Sequence, residues 1–204
     1  MDVIIGCEES QEICKAFRKL GHNAYSCDLQ DCSGGFPEWH IKDDIRNQIY
    51  KKWDLIIGHP PCTRICNSGV RWLEERNLWD KLYEACEFFK LFQSLGKAGK
   101  AVAIENPIPH KYAVKYIGKY TQIIQPWMFG HLESKGTCLW LYNLPRLKPT
   151  NNVYNEMMKL PLKERQKIWW MGGGKEKIRS KTYAGIAEAM AKQWGNDNYI
   201  KPFF

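Results

Sequence analysis

In the first half of the chain, the spacing of apolar residues switches between the pattern of strands and the pattern of helices. Residues 3–6 and 23–28 are short apolar runs typical of strands, and the residues between them repeat at helical spacing. Ser10 is a suitable N-cap for that helix, which we expect to run through Leu20 and to stop at Gly21. This alternation favours a sheet of parallel strands with helices packed on it.

The same patterns predict the elements of the rest of the chain. The further predicted strands are residues 53–58, 101–105, 121–125 and 137–142, and the further predicted helices are residues 70–95 and 182–194. We therefore predict an α/β fold with a mainly parallel, twisted sheet and helices on both of its faces.

The length and the apolar content predict one compact unit. With 204 residues, of which 44% are hydrophobic, the chain suffices for one buried core, and we expect a single domain over residues 1–204. A basic leader is absent, and no apolar run reaches the roughly 18 residues of a membrane span. These features predict a cytoplasmic protein without a membrane partner.

The charge of the chain suggests an anionic partner. Its net charge is +8 and its pI is about 9.0, and basic residues are densest in residues 159–181. Cations among aromatic side chains suit contact with phosphates and stacking on bases. The predicted nucleic-acid contacts in this segment are Trp169, Trp170, Lys175, Lys177 and Arg179. On charge alone, a solvated helix followed by a flexible loop is an equally good interpretation.

The eight cysteines are interpreted as free thiols. The chain lacks an export signal, and most of its cysteines lie within apolar stretches. Cys-x-x-Cys pairs are absent, and neither of the close spacings, Cys27 to Cys32 and Cys62 to Cys66, is matched by a second Cys or His pair. We therefore expect neither a disulfide framework nor a bound metal.

Polar residues follow several of the predicted strands. They comprise the turn at residues 6–10, then Asp28, Asp44, Pro61-Cys62 and Glu105-Asn106. Ligands of α/β sheets bind outside the carboxyl ends of the strands, where these residues would meet. Cys62 follows two prolines at a strand exit, and Arg64 beside it could favour the thiolate. The alternative for Cys62 is a buried, inert thiol.

Two of these motifs resemble the cytosine-5 methyltransferases, and in particular their small phage-like or bacterial members. Pro60-Pro61-Cys62 follows an apolar strand as the family's Pro-Cys loop does, and Glu105-Asn106 follows the next strand as the family's Glu-Asn pair does. The elements also occur in the family's order along nearly the whole chain. The resemblance implies a Rossmann-like methyltransferase fold that transfers a methyl group from S-adenosylmethionine to carbon 5 of a cytosine.

The resemblance also implies roles for the residues that match the motifs. Cys62 would add to carbon 6 of the ring as a thiolate, which makes carbon 5 nucleophilic. Glu105 would bind ring nitrogen 3 and the exocyclic amine and stabilise the charge created by the addition. Asn106 would orient the loop, and Lys135 stands at the position of a family arginine. We expect Arg64 to contact the nucleic acid.

The cofactor contacts are carried over from the family in the same way. Asp28 matches the acid that binds the ribose hydroxyls, and Asp44 matches the acid beside the adenine amine. The residues expected to contact S-adenosylmethionine are Gly6, Glu8, Ser10, Asp28, Asp44, Ile45, Pro60 and Gly185.

The chain departs from the family in three places. Residues 6–10 contain one glycine where the family has several, and Lys135 and Thr137 replace two arginines. The third departure is length, because only about residues 143–181 stand where full DNA methyltransferases insert a target-recognition domain. We interpret this stretch as a short basic and aromatic insertion.

Three alternatives remain open at the level of sequence. An amino-methyltransferase has the same fold and cofactor, but His59 and Cys62 fit its usual loop poorly. A catalytically weak descendant could bind the cofactor or nucleic acid without transferring a methyl group. Within the leading hypothesis the substrate is expected to be cytosine in DNA, with RNA or a free cytosine nucleotide as the alternatives.

Overall fold

A computed structural model describes residues 1–171 and 174–196 of the protein. Gly172 and Gly173 of the glycine run lie outside the described residues, as do residues 197–204. The strands are β1 Asp2–Gly6, β2 Asn23–Asp28, β3 His40–Lys42, β4 Leu55–Gly58, β5 Ala101–Pro107, β6 Gln122–Ile124 and β7 Thr137–Tyr142. The helices are α1 Glu12–Lys19, α2 Ile45–Gln48, α3 Arg71–Glu75, α4 Trp79–Lys97, α5 Lys111–Ile117, α6 Tyr154–Met158, α7 Leu162–Arg165, α8 Lys167–Trp170, α9 Glu176–Ser180 and α10 Ala184–Trp194.

The seven strands form one sheet in the order β3-β2-β1-β4-β5-β7-β6. Strands β1 to β5 pair in parallel, whereas β7 runs antiparallel both to β5 and to the edge strand β6. The predicted α/β fold with a mainly parallel sheet is therefore confirmed. The sequence pattern missed β3, which has only three residues.

Helices cover both faces of the sheet, as predicted. On one face, α1 and α10 pack on side chains such as Val3 and Ile5. On the other face, α4 and α5 cover alternate residues of the same strands, including Ile4 and Ile56. This alternation follows from the strand period of two and buries the central strands on both sides.

Two helix predictions need correction. Ser10 does not cap α1, because the N-cap position belongs to Gln11, which has a φ of 59° and makes no side-chain capping bond. The predicted helix at residues 70–95 is two helices, α3 and α4, separated near Asn77 with its φ of 47°. Apolar periodicity does not predict this break, since α3 and α4 both bury apolar side chains.

Residues between β7 and α10 contain four short helices, α6 to α9, among the described part of the chain. Within residues 1–171 and 174–196, no helix is both long and apolar enough to span a membrane. Ser180, at the end of α9, lies beside Glu105 at the carboxyl end of β5.

Candidate active site

The candidate site is built where β4 and β5 end side by side. Gly58 of β4 pairs with Ile104 of β5 in the parallel register, so the next residues, His59 and Glu105, lie together at the sheet edge. The His59 amide donates to the Gly6 carbonyl at 2.9 Å, which fixes the strand exit against β1.

His59 and Glu105 form a largely buried ion pair. His59 Nδ1 lies 2.9 Å from Glu105 Oε2, with the side chains 11% and 17% exposed. Burial opposes the charge of His59, but the hydrogen bond to Glu105 and the charges of Glu105 and Glu8 outweigh it and raise its pKa. Burial likewise opposes the charge of Glu105, yet His59 and Lys135 together lower its pKa. Each partner therefore favours the charged form of the other.

Asn106 connects β5 to the Pro-Pro-Cys loop. Its side chain is 1% exposed, and its Nδ2 donates to the Pro60 carbonyl at 2.9 Å. The Cys62 carbonyl then accepts from the amides of Ile65 and Cys66, both at 2.9 Å, and this turn ends the loop. The orientation of Cys62 thus depends on contacts at both ends of the loop.

Cys62 and Cys66 behave as one pair of thiols. A hydrogen bond to Cys66 and burial both raise the pKa of Cys62. The same hydrogen bond, together with that of the Ser68 hydroxyl at 3.1 Å, lowers the pKa of Cys66. The pKa values of the two thiols are therefore shifted in opposite directions, and Cys62 holds its proton more strongly than Cys66 does. All eight cysteines are free.

Lys135 faces the site from the residues before β7. Its charge lowers the pKa of Glu105 and counteracts the rise at Cys62. Its Nζ donates to the Arg179 carbonyl at 2.7 Å, so the end of α9 is attached next to Glu105. A small cavity forms there, lined by Glu105, Lys135, Thr137, Ser180, Lys181, Thr182, Tyr183 and Ile186.

Glu8, for which a cofactor contact is predicted, is buried against the start of α1. Its carboxylate is 4% exposed and accepts from the amides of Ile13, at 2.7 Å, and Cys14, at 3.3 Å, at the start of α1. Burial raises its pKa from 4.5 to about 7, although His59 and the two amides oppose the rise. Glu8 therefore caps α1 in place of Ser10, which is itself buried.

The buried carboxyl of Glu8 predicts a dependence of stability on pH. Because its pKa is higher in the folded than in the unfolded state, the folded state holds its proton longer, and stability is lost as pH rises from 4.5 through about 7. Over this window we expect the free energy of unfolding to fall by about 3 kcal/mol relative to Glu8→Gln. Urea unfolding at pH 4.5 and pH 8 measures it. Glu84→Gln on α4 is the control. If stability depends on pH in Glu8→Gln as it does in the wild type, the assignment is contradicted.

Gly6 and Ile45 pack against each other. A Cβ at Gly6 would lie 2.7 Å from Ile45 Cγ1, so glycine is needed for this close approach. Ile45 is 3% exposed and offers a ligand almost no surface. Pro60 is also buried, and its carbonyl accepts from the side chain of Asn106. The predicted contacts of these three residues with a cofactor stay predictions, while their observed contacts are structural.

The two predicted cofactor acids have different surroundings. Asp28 is half-buried at the end of β2, and its Oδ1 accepts from the Gln30 amide at 2.9 Å. Asp44 caps α2 by accepting from the Arg46 amide at 2.9 Å, and it also forms an ion pair with the Arg46 guanidinium. A ligand at Asp44 would therefore compete with Arg46.

Gly185 lies at the start of α10 beneath the loop after β6. A Cβ there would come within 2.0 Å of the Phe129 carbonyl oxygen, and the Gly185 amide donates to His131 Nε2 at 3.0 Å. The structure therefore explains this glycine by packing, and its contact with a cofactor stays a prediction.

Five of the six predicted nucleic-acid contacts lie on exposed surface. Trp169 is 76% and Trp170 56% exposed, and Lys175, Lys177 and Arg179 are exposed as well. Arg64 is half-buried in the Pro-Pro-Cys loop, and its carbonyl accepts from His110.

Ion pairs attach this basic segment to the rest of the protein. Lys167 pairs with Glu133 at 2.7 Å, and Lys181 pairs with Glu12 at 3.0 Å. The Ser134 amide also donates to the Arg165 carbonyl at 2.7 Å. The exposed tryptophans and cations are therefore held on the side of the molecule where Glu105 lies.

Sequence reasoning missed His59 as a member of the site. On sequence alone, His59 is only a poor match to the loop of amino-methyltransferases, although its place directly before Pro60-Pro61-Cys62 is a usable signal. The spacing of Cys62 and Cys66 in the sequence does not show that the two thiols interact. Among the described residues, no group of three or more His, Cys, Asp or Glu side chains could hold a metal ion.

Similarity to known proteins is found among solved structures. No protein-family model and no curated protein sequence matches the chain. The solved structure of the Entamoeba histolytica methyltransferase EhMeth is similar at 16% identity and a TM-score of 0.49, covering 74% of this chain. This chain spans 57% of the length of EhMeth.

Proposed function

We propose that the protein is an S-adenosylmethionine-dependent methyltransferase that acts on carbon 5 of cytosine in DNA. The observation that carries this proposal is the convergence of Cys62 with Glu105 at adjacent strand exits, where the charges of Glu105 and Lys135 both act on the Cys62 thiol. A potential nucleophile and a potential base-binding carboxylate thus face one site.

The residues at the ends of β1 and β2 fit the proposed cofactor in part. Asp28 has a carboxylate at the end of β2 with one backbone donor, which leaves acceptor capacity for ribose hydroxyls. Glu8 does not fit, because its carboxylate is already committed to the amides of α1. When bound, S-adenosylmethionine would supply an electrophilic methyl group carried on a sulfonium.

Cys62 would act as the nucleophile toward carbon 6 of the base. Cys62 is partly exposed, so its proton would pass to water. The electron pair of the resulting thiolate would form the bond to carbon 6. Lys135 favours the thiolate through its positive charge.

Glu105 and Asn106 would prepare the site for the base. Glu105 is ionised, and its Oε2 is engaged by His59, so Oε1 is available to the ring edge of a pyrimidine. Asn106 holds the Pro60 carbonyl and thereby the loop that carries Cys62. These contacts exist before any substrate binds, which lowers the cost of organising the site.

The class of substrate is proposed from the surface beside the cavity. Exposed Trp169 and Trp170 and the exposed cations of α9 suit a polyanion with stackable bases. Incubation with labelled methyl donor and duplex DNA, single-stranded DNA, RNA or cytosine nucleotides, followed by mapping of the methylated atom, tests the proposal. Label on carbon 5 of cytosine in DNA supports it, and label on an exocyclic nitrogen contradicts it.

Binding of the cofactor gives a separate prediction. We expect the wild-type protein to bind S-adenosylmethionine and its demethylated product, and Asp28→Ala to weaken both by about 10-fold or more, since a hydrogen bond to a charged group contributes about 1.5–3 kcal/mol. Calorimetry measures both affinities. Asp31→Ala, in the exposed loop after β2, is the matched control. Unchanged affinity in Asp28→Ala would show that the pocket lies elsewhere.

The basic segment predicts a salt effect on binding of DNA. If Lys175, Lys177 and Arg179 each neutralise a phosphate, their joint replacement by glutamine should reduce the slope of log K against log salt by about 0.7–0.9 per contact. Fluorescence anisotropy at several salt concentrations measures this slope. Lys97, Lys100 and Lys148 replaced together are the control for net charge. An equal slope in both triple variants would contradict a specific contact.

A second candidate function is a cofactor- or nucleic-acid-binding protein without transferase activity. The raised pKa of the Cys62 thiol favours it, because a protonated thiol is a weak nucleophile. Binding of cofactor and DNA without transfer to any substrate in the panel would decide for this candidate.

A further inference from the structure

The Pro-Pro-Cys loop is followed by a further cysteine, Cys66, to which the proposed reaction assigns no step. The amides of Ile65 and Cys66 both donate to the Cys62 carbonyl at 2.9 Å, so a single backbone turn joins the two cysteines. In a turn with this hydrogen bond between residues four apart, the two Cα atoms lie about 6 Å from each other. Disulfides form across Cα separations of about 4.4–6.8 Å, and the turn therefore allows one without large movement of the backbone.

The surroundings of Cys66 hold its side chain next to Cys62. Cys66 forms an isolated antiparallel bridge with Pro109, and the His110 amide donates to the Ile65 carbonyl at 3.0 Å. These contacts attach the turn to the segment after β5. Because the Cys66 sulfur is also hydrogen-bonded to the Cys62 thiol, the two side chains face each other.

The two thiols differ in exposure and in acidity. Cys62 is partly exposed, so a small solute reaches the pair, whereas Cys66 is only 6% exposed. The hydrogen bond with Cys62 and those with the Ser68 hydroxyl, at 3.1 Å, and nearby backbone amides outweigh burial and lower the pKa of Cys66 to about 5. Because peroxides react with thiolates rather than with thiols, Cys66 is the sulfur of the pair that an oxidant attacks first.

We propose that Cys62 and Cys66 are a site of reversible oxidation, at which hydrogen peroxide joins their sulfurs in a disulfide. The Cys66 thiolate attacks one peroxide oxygen, the O–O bond breaks, and hydroxide leaves, so that Cys66 becomes a sulfenic acid. The Cys62 sulfur then attacks the Cys66 sulfur, the S–O bond breaks, and the departing hydroxide takes up the Cys62 proton to form water. Two sulfurs are thereby oxidised, and one peroxide is reduced to hydroxide and water.

The disulfide removes the nucleophile of the proposed methyl transfer. A sulfur bound to another sulfur has no thiolate to offer carbon 6, so the oxidised protein should be inactive until a dithiol reduces it. This consequence rests on the proposed function, whereas formation of the disulfide does not. Capture of the sulfenic acid by Cys62 also prevents further oxidation of Cys66 to the sulfinic acid, which dithiols do not reduce. The pair thus keeps the oxidation reversible.

Peptide mapping tests the disulfide without requiring activity. The protein is treated with hydrogen peroxide, its remaining thiols are alkylated in denaturant, and trypsin then cleaves after Arg64, between the two cysteines. We expect the peptides that contain Cys62 and Cys66 to remain joined and to separate on treatment with dithiothreitol. Free Cys62 and Cys66 at peroxide doses that oxidise other cysteines, or a disulfide of either with a different cysteine, would overturn the proposal.

Two variants show whether the joined peptides depend on this pair of thiols. Cys66→Ser should give no joined peptides. Cys86→Ser removes another buried thiol, on α4, and should give them as the wild type does. Thermal unfolding shows whether each variant is folded, and the map of the wild type decides the proposal even if a variant does not fold.

Methyl transfer before and after oxidation tests the consequence. In the wild type, the residual rate should equal the fraction of protein without the disulfide, and the lost rate should return with dithiothreitol. Cys66→Ser should keep its own untreated rate at the same peroxide dose, because burial and the charge of Glu105 still hold the proton on Cys62. An equal loss of rate in Cys66→Ser and in the wild type would overturn the role assigned to Cys66.

The outcomes separate the two proposals. Joined peptides in a wild type that transfers no methyl group to any cytosine substrate would contradict the proposed function and leave the disulfide site intact. An active wild type whose peptides never join would leave the proposed function intact and overturn the disulfide.

Discussion

Cys62→Ser should reduce methyl transfer by about 10³-fold or more, which makes it the variant with the largest expected effect. A hydroxyl is far less ionised than a thiol at neutral pH, so a serine cannot supply the nucleophile that the proposed addition to carbon 6 requires. Because Cys62 is only partly buried and oxygen is smaller than sulfur, the fold should tolerate the change. Incorporation of label from S-adenosylmethionine into cytosine-containing DNA measures the rate.

Cys32→Ser is the matched control for the loss of a partly exposed thiol. This residue lies in the loop after β2 and has no proposed part in the reaction, so its variant should retain the wild-type rate. Cofactor affinity should be equal in Cys62→Ser and in the wild type. Methyl transfer at a comparable rate in Cys62→Ser would exclude the thiolate mechanism and point to an amino-methyltransferase.

Glu105→Gln should slow the reaction by about 10²–10³-fold, because it removes a charged group aimed at the site where charge develops. The amide also leaves His59 without its ionic partner, so the effect combines the loss of the base-binding carboxylate with a change in its neighbour. Single-turnover measurement at saturating cofactor separates this effect from binding. The affinity for S-adenosylmethionine should remain within about twofold of the wild type, since none of the proposed cofactor contacts involves Glu105.

Glu84→Gln provides the same chemical change on the exposed face of α4, where Glu84 pairs with Lys81. This variant should stay as stable as the wild type, because surface ion pairs contribute little to stability. Its rate of methyl transfer should therefore equal that of the wild type. A Glu105→Gln variant with full activity would contradict the role assigned to this carboxylate.

The sequence predicted the parts of the site that depend on strand ends. Cys62 and Glu105 follow apolar runs of fixed length, and parallel strands bring their carboxyl ends to one edge, so their approach could be predicted. The central strands were predictable for the same reason, since burial on both faces leaves a continuous apolar run. The edge strand β3 was missed because its three residues are only partly buried.

The remaining features depend on contacts between distant residues. Glu8 caps α1 because the turn after β1 folds its carboxylate back to Ile13 and Cys14, and a capping pattern in the sequence favours Ser10 instead. The ionisation of Glu105 depends on His59, 46 residues away in the chain. The break between α3 and α4 depends on the conformation of Asn77, which the apolar pattern does not encode.

The most direct test of the central claim is intact-mass spectrometry of the protein with DNA that carries 5-fluorocytosine. The final elimination removes a proton from carbon 5, and fluorine cannot leave as one, so the adduct between enzyme and base should persist. We predict a covalent species that forms only with S-adenosylmethionine present, has the mass of protein plus methylated DNA and maps to Cys62. Cofactor and DNA that both bind without any such adduct, or an adduct on another residue, would contradict the account.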